Sequence, residues 1–231
     1  MPEQVDRLLY IDVDTIVNQS VRELYDTEFG DSYFVVCQEK GAEKPADNCR
    51  WEVFRPIFES GYHYFNAGVM LWNVKALRGK YCLQTYLDAA CEINYQFMAP
   101  DQDLLNYVHH SQVKFVDENR YNLFARIASN KGFSCEAVKA QTAIIHYAGS
   151  KPWNADNIHY DIEWIWWEYA RKTPHFAQLC EEFVRKTMLD KSMIEYVQQL
   201  LKENGELRQN LDESLKVNEK LIGYVRSFSE N

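Results

Sequence analysis

The stretch from Arg7 to Asp14 constrains this chain most. Arg7-Leu8-Leu9-Tyr10-Ile11 is a short apolar run that stops at Asp12-Val13-Asp14. An apolar run of strand length that ends in alternating carboxylates reads as a fully buried parallel strand delivering polar side chains to its carboxyl end. Ligands of open α/β sheets bind at such ends. Side chains two apart in an extended segment point to the same side, so Asp12 and Asp14 can face one hard cation with their oxygens. Taken alone, the pair also fits a turn or a cap.

Downstream, strand and helix signals alternate. The pattern predicts a short helix at Val21 to Tyr25, a strand at Tyr33 to Cys37, a polar loop from Gln38 to Arg50 that is a candidate lid, and a helix at Trp51 to Glu59. Then come a strand at Val69 to Trp72, a long amphipathic helix at Val74 to Tyr95, and a helix at Asp101 to His109 capped by Asp101. Strands at Lys114 to Val116 and Thr142 to Tyr147 complete the series. Such alternation argues for an α/β layer fold rather than a sandwich or a bundle.

A length of 231 residues with 46% hydrophobic content allows one substantial core plus an appendage. The net charge of -9 argues against nucleic acid as a partner, because no segment supplies the basic stripe a phosphate backbone needs. A small phosphate neutralised by a metal stays compatible with it. Cys37, Cys49, Cys82, Cys91, Cys135 and Cys180 lack CxxC or zinc-ligand spacing and read as reduced, cytosolic and mostly buried. With no signal peptide and no apolar stretch of membrane-spanning length, the expectation is no transmembrane segment and a cytoplasmic location, with peripheral membrane attachment as the variant of it. The cluster Trp164, Trp166 and Trp167 suits sugar stacking but fits ordinary core packing better.

Two later segments also bring polar chemistry to element ends. One is Asp101-Gln102-Asp103; the other is the apolar Ala143-Ile144-Ile145 leading into His146 and then Tyr147-Ala148-Gly149-Ser150-Lys151-Pro152-Trp153. A neutral imidazole joining two carboxylates makes a mixed N/O ligand set, which moves the expected metal from magnesium toward manganese. Gly149 permits close backbone approach, Lys151 can reach a phosphate oxygen, and Pro152 stiffens the loop that carries both.

These residues, with Ile11 to Thr15 and with Tyr64-Phe65-Asn66-Ala67-Gly68-Val69-Met70-Leu71 between them, resemble the serial motifs of glycosyltransferase family 8, in the family's order. The resemblance implies a GT-A-type α/β fold, with a mixed, mainly parallel sheet and flanking helices. It implies a UDP-sugar donor whose hexose, glucose or galactose, passes with retained configuration to a glycan or glycoconjugate acceptor, as in lipopolysaccharide synthesis. It further implies dependence on Mn2+, with Mg2+ as the substitute. Asp12, Asp14 and His146 become the implied metal ligands, Gly149 and Lys151 the diphosphate contacts, and Asn66 and Ala67 the donor-sugar contacts. Asp101 and Gln102 are the implied catalytic pair, Asp101 on sugar hydroxyls and Gln102 with its amide oxygen near the reacting carbon. An amide is a poor nucleophile, so this glutamine favours same-face attack within a short-lived ion pair over the double displacement of retaining hydrolases.

Two departures from the family stand out. It carries roughly 80 to 90 residues ahead of the aspartate strand, including a βαβ unit for uracil and ribose, and this sequence opens just before that strand. The expectation is therefore a catalytic domain over 1–187 that is incomplete at its N-terminus. The loop after Gly149 is also one residue shorter than the family's. Two alternatives remain. A haloacid-dehalogenase-like phosphohydrolase shares the paired aspartates, although Thr15-Ile16 fits it poorly and His146 to Trp153 is left without a role. A non-catalytic remnant would act as an assembly module through its tail.

That tail, 188–231, places Val197, Leu200, Leu207, Leu211, Leu221, Val225 and Phe228 on the a and d positions of one heptad frame. Asn204 and Asn218 occupy a positions, where buried amides fix register and oligomer state, while Ser214, Gly205 and Gly223 weaken the pattern. The prediction is a long helix, either a self-associating coiled coil or a single amphipathic helix folded back on the body.

Overall fold

The structure is a computed structural model that describes residues 2–40, 49–189 and 191–229. Its first elements are β1 (Leu8–Ile11), β2 (Thr15–Val17), α1 (Arg22–Tyr25), β3 (Phe34–Gln38), α2 (Cys49–Glu59), β4 (Phe65–Trp72), α3 (Val74–Leu77), α4 (Leu83–Glu92) and α5 (Pro100–His109). They are followed by β5 (Val113–Val116), α6 (Glu118–Tyr121), β6 (Leu123–Phe124), α7 (Ala125–Asn130), α8 (Cys135–Gln141), β7 (Ile144–His146), α9 (Glu163–Ala170), α10 (Phe176–Leu189) and α11 (Lys191–Ser229).

β4 organises the first sheet. Phe65 to Leu71 are all buried, so the strand reads as a continuous apolar run rather than an alternation, as expected when both faces are covered. β1 and β3 flank it antiparallel, and β5 adds parallel to β3, giving the order β1-β4-β3-β5. A second sheet, β2-β7-β6, pairs β7 antiparallel with β2 and parallel with β6. One face of the first sheet packs Val35, Cys37, Val69 and Leu71 with Leu24 and Tyr121; the other packs Phe34, Val36, Phe65, Ala67 and Met70. In β4 the assignment to faces changes parity between Ala67 and Val69. The cause is a bulge: Met70 pairs with Val36 and Asn66 with Cys37, leaving Ala67, Gly68 and Val69 with no partner on β3. Bulges free backbone groups and re-aim side chains, and they concentrate next to functional sites.

Several expectations need correction. The first strand is neither parallel nor fully buried: β1 runs antiparallel to β4 at the end of its sheet, and Tyr10 is exposed. Antiparallel pairs outnumber parallel ones, so the sheets are mixed without being mainly parallel. An apolar run reports burial potential, not the direction of the neighbouring strand. The long helix from Val74 to Tyr95 is two helices, because the chain leaves α3 at Arg78 (ψ 123) and turns at Gly79 (φ 75). Among the described cysteines only Cys37 is buried; Cys82 and Cys91 are exposed and Cys135 and Cys180 intermediate, all with free thiols. Residues 41–48 of the candidate lid lie outside the described residues.

The chain forms two compact units, Met1–Phe176 and Ala177–Asn231. In the second, Leu200, Leu201, Leu207, Leu211, Leu215 and Val217 of α11 are exposed. The side chains of Val197, Leu221, Val225 and Phe228, the other heptad positions, lie outside the described residues. No helix among the described residues is long and apolar enough to cross a membrane.

Candidate active site

The paired aspartates stand where the chain passes from one sheet to the other. β1 leaves β4 at the Ile11–Val69 pair, and the Asp12 N–H adds one further bond to Gly68 O at 2.8 Å. Thr15 then opens β2 opposite His146 of β7, and the Tyr147 N–H donates to Asp14 O at 2.9 Å. Val13, between them, is fully exposed, which leaves the flanking carboxylates to turn inward. His146 Nε2 lies 3.3 Å from Asp14 Oδ1 and 3.8 Å from Asp12 Oδ2. The three ligand atoms fall within 4.8 Å of one another.

Lys151 and Tyr10 complete this corner. The Lys151 ammonium donates to Asp14 Oδ2 and, at 2.9 Å, to Tyr147 O. Burial alone would raise the Asp14 carboxyl, but the hydrogen bonds and charges of His146 and Lys151 outweigh it and hold the group well below the usual carboxylate range. Tyr10 OH donates to Asp12 Oδ1 at 2.7 Å. That bond, then burial and the nearby charges of Asp12, Asp101 and Asp14, push the Tyr10 phenol up to about 12. The tyrosine thus places Asp101, itself exposed, in the same electrostatic neighbourhood as the aspartate pair.

The opposite wall is built of amides around the β4 bulge. Gln102 Oε1 accepts from Ala67 N–H at 2.9 Å and from Asn66 Nδ2 at 2.8 Å. Gln102 Nε2 donates to Glu39 Oε2 at 2.9 Å and to Tyr64 OH at 3.2 Å. Asn66 Oδ1 accepts from Gly68 N–H at 2.9 Å and Asn122 Nδ2 at 2.8 Å, and Asn66 Nδ2 donates also to Glu39 Oε2 at 3.1 Å. Side chains therefore satisfy the bulge's unpaired backbone donors, as buried polar groups require. Asn106 does the same at the neighbouring residue, accepting from Phe65 N–H and donating to Phe65 O, both at 2.8 Å.

Asp12, Asp14 and His146 are thus brought together, with Lys151 beside them. Gly149 has φ 87 and no protein atom within 4 Å of where a Cβ would stand, so the backbone conformation, not a close approach, calls for glycine there. Asn66, Ala67 and Gln102 form the amide wall. The cap of α5 is not Asp101: the buried Asp103 carboxylate accepts from Met98 N–H and Ala99 N–H at 2.7 and 2.9 Å and from Tyr64 OH. Trp166 packs between Trp153 and Trp167 and against the buried cluster of Leu123, Ile145, Tyr147, Ile162 and Ile165, a structural role.

Gly68 and Glu39 stand in segments singled out in the sequence but, like Asn122, have no site role assigned there. A Cβ on Gly68 would stand 2.4 Å from His146 Cε1, 2.7 Å from Asp12 Oδ2 and 2.9 Å from Asn66 Oδ1. A glycine inside an apolar strand signals such an approach, so this one was findable. Asn122, 3% exposed, accepts from His146 Nδ1 at 2.8 Å and carries no local signature. Glu39 lines a cavity of about 230 Å3 with Lys40, Glu118, Asn122, Phe124 and Lys131, adjoining the amide wall.

Two carboxylates and an imidazole nitrogen converging in this way fit a divalent cation of borderline hardness. The second nitrogen of the histidine is already engaged by Asn122, as metal-binding histidines usually are.

Mixed sheets with flanking helices and a carboxylate pair at the sheet crossing define the GT-A glycosyltransferase class. The solved structure of an active-site mutant of LgtC superposes with a TM-score of 0.58 at 22% identity, over 78% of this chain and 62% of that one. The model of glycosyl transferase family 8 matches residues 1–157, and the chain belongs to that family. A putative glycosyltransferase of Haemophilus influenzae is 26% identical over 77% of this chain and 58% of its own length. The lipopolysaccharide 1,2-glucosyltransferase of Escherichia coli is 30% identical over 65% of this chain and 45% of its own. The chain thus spans about half the length of these curated relatives.

Proposed function

We propose that this chain carries the metal and donor-sugar site of a retaining hexosyltransferase, which moves glucose or galactose from a UDP-sugar to a glycan or glycoconjugate acceptor. The observation that carries the reading is the convergence of Asp12, Asp14 and His146 where the two sheets meet. Asp12, Asp14 and His146 would hold a divalent cation, Mn2+ by their mixed N/O ligand set, which would supply charge to neutralise a diphosphate leaving group. Lys151, anchored on Tyr147 O, brings a second positive charge to the same corner. Gly149 leaves open space above the loop for phosphate oxygens.

On the sugar side, Asp101 offers an exposed carboxylate to hydroxyl groups, while Asn66 and Ala67 form the wall behind them. Gln102 has both amide lone pairs engaged by Asn66 and Ala67. Its first task is to hold that wall, and presenting its oxygen to a reacting carbon means giving up the Ala67 N–H bond. The cavity beside Glu39 is the acceptor entrance. At about 230 Å3 it is smaller than a typical small-molecule pocket, about 300–1,000 Å3, and suits the terminal unit of a glycan. The tail, 188–231, serves self-association with a second copy through its heptad face.

Incubation of UDP-glucose or UDP-galactose with Mn2+ and lipopolysaccharide-core oligosaccharides, with the product followed by proton NMR, tests the reading. UDP release with an α-linked product is expected. An inverted linkage contradicts the mechanism, and release of inorganic phosphate from an added phosphomonoester, with the UDP-sugar left intact, favours the phosphohydrolase alternative.

A further inference from the structure

The hydrogen bonds of the amide wall have a direction, and backbone groups set it. Ala67 N–H is a donor that cannot be reversed, so the Gln102 atom facing it is the oxygen. That same oxygen faces Asn66, which must therefore present its nitrogen there and turn its oxygen the other way. Gly68 N–H confirms that orientation independently, since it too donates to Asn66 Oδ1. The Asn122 group that meets Asn66 Oδ1 must then be the nitrogen, at 2.8 Å. Its oxygen is left facing His146 Nδ1, also at 2.8 Å. An acceptor opposite Nδ1 requires the hydrogen on that nitrogen and leaves Nε2 for the carboxylate corner.

We propose that Asn122 is a positioning residue, fixing the ring nitrogen that His146 offers to a metal and coupling that nitrogen to the donor-sugar wall of Asn66 and Gln102. The proposal rests on the reading of Asp12, Asp14 and His146 as a cation site. Asn122 touches neither donor nor metal itself and acts through its two neighbours. It is suited to this by burial, at 3% exposure, and by its place between α6 and β6, where the chain enters the strand next to His146. The bulge in β4, which exposes the Ala67 and Gly68 donors, is thereby linked through three side-chain amides to the ligand geometry of β7.

Two substitutions separate the two halves of Asn122. Asn122→Asp keeps an acceptor for His146 Nδ1 but cannot donate to Asn66; Asn122→Leu loses both. The readouts are ring-nitrogen NMR of His146 in metal-free protein, assigned against His146→Gln, and calorimetric titration of the folded proteins with Mn2+. Wild type and Asn122→Asp are expected to carry the hydrogen on Nδ1 and to bind Mn2+ with affinities within about threefold of each other, while Asn122→Leu loses about 10- to 100-fold, the range seen when a ligand's outer partner is removed. Both variants lose the Asn66 bond, so a purely structural role would weaken them alike. Equal Mn2+ affinity in wild type and Asn122→Leu, equal losses in both variants, or an Nδ1 without a hydrogen in the wild type would overturn the proposal. Should Asn122→Leu not fold, the wild type and Asn122→Asp decide between them. Should the wild type bind no Mn2+, the cation reading fails, and the nitrogen spectra alone then decide for or against Asn122.

Discussion

The two walls of the site are built on opposite principles. On the amide side, Asn66 and Gln102 have every lone pair and every N–H of their side chains engaged by Gly68, Ala67, Glu39, Tyr64, Asn122 and each other. On the carboxylate side, Asp12 and Asp14 converge on one histidine, with the Lys151 ammonium as the compensating charge and Tyr10 OH as a further donor. A wall with no spare hydrogen-bonding capacity is a scaffold, and its value lies in rigidity. A corner held by charge, with partners that can exchange for a ligand's own, is where binding energy becomes available. On the function proposed above, ligand chemistry belongs to Asp12 and Asp14 and shape to Asn66 and Gln102.

Gly68 belongs to both walls, and its loss has the largest expected effect. In Gly68→Ala the new methyl overlaps the His146 ring, the Asp12 carboxylate and the Asn66 oxygen. Chemical denaturation should show a loss of about 3 kcal/mol, together with loss of Mn2+ binding. Retention of both would break the claim that the walls meet at this residue. Next comes Asn106→Leu, which strips Phe65 of two backbone partners in the buried scaffold. It should cost about 2 kcal/mol of stability while the folded fraction binds Mn2+ as before. Asp14→Asn is expected to do the reverse, abolishing Mn2+ binding with a modest change in melting temperature.

The smallest effect is on acid stability. Because the Asp14 carboxyl sits well below its ordinary value in the folded state, its contribution is present above the unfolded-state value, about 3.9, and fades as pH falls toward the depressed folded one. The loss of stability between about pH 5 and pH 2 should therefore be steeper in the wild type than in Asp14→Asn. Equal slopes would remove the charge compensation by His146 and Lys151 from the account.

The carboxylate corner was legible in the sequence because its signals are local: two aspartates flanking an outward residue, and a histidine ending an apolar strand. The GT-A class was implied by the resemblance of the serial motifs to those of glycosyltransferase family 8. The amide wall was not legible in the same way. Asn122 lies 56 positions from Asn66 and 24 from His146 in the chain, and only the fold brings them to hydrogen-bonding distance. The bulge in β4 left one trace, the glycine inside an apolar strand, yet the change of face between Ala67 and Val69 depends on the register with β3. Strand direction was equally hidden: Leu8 to Ile11 are apolar enough for a buried parallel strand, and the antiparallel placement of β1 is decided by its neighbour β4.

The central claim is that Asp12, Asp14 and His146 form one cation site, and calorimetric titration with Mn2+ tests it most directly. Wild-type protein should bind a single ion per chain, and the Asp12→Asn/Asp14→Asn double variant, folded by circular dichroism, should give no binding heat. Equal binding by both proteins, or none by the wild type, would contradict it.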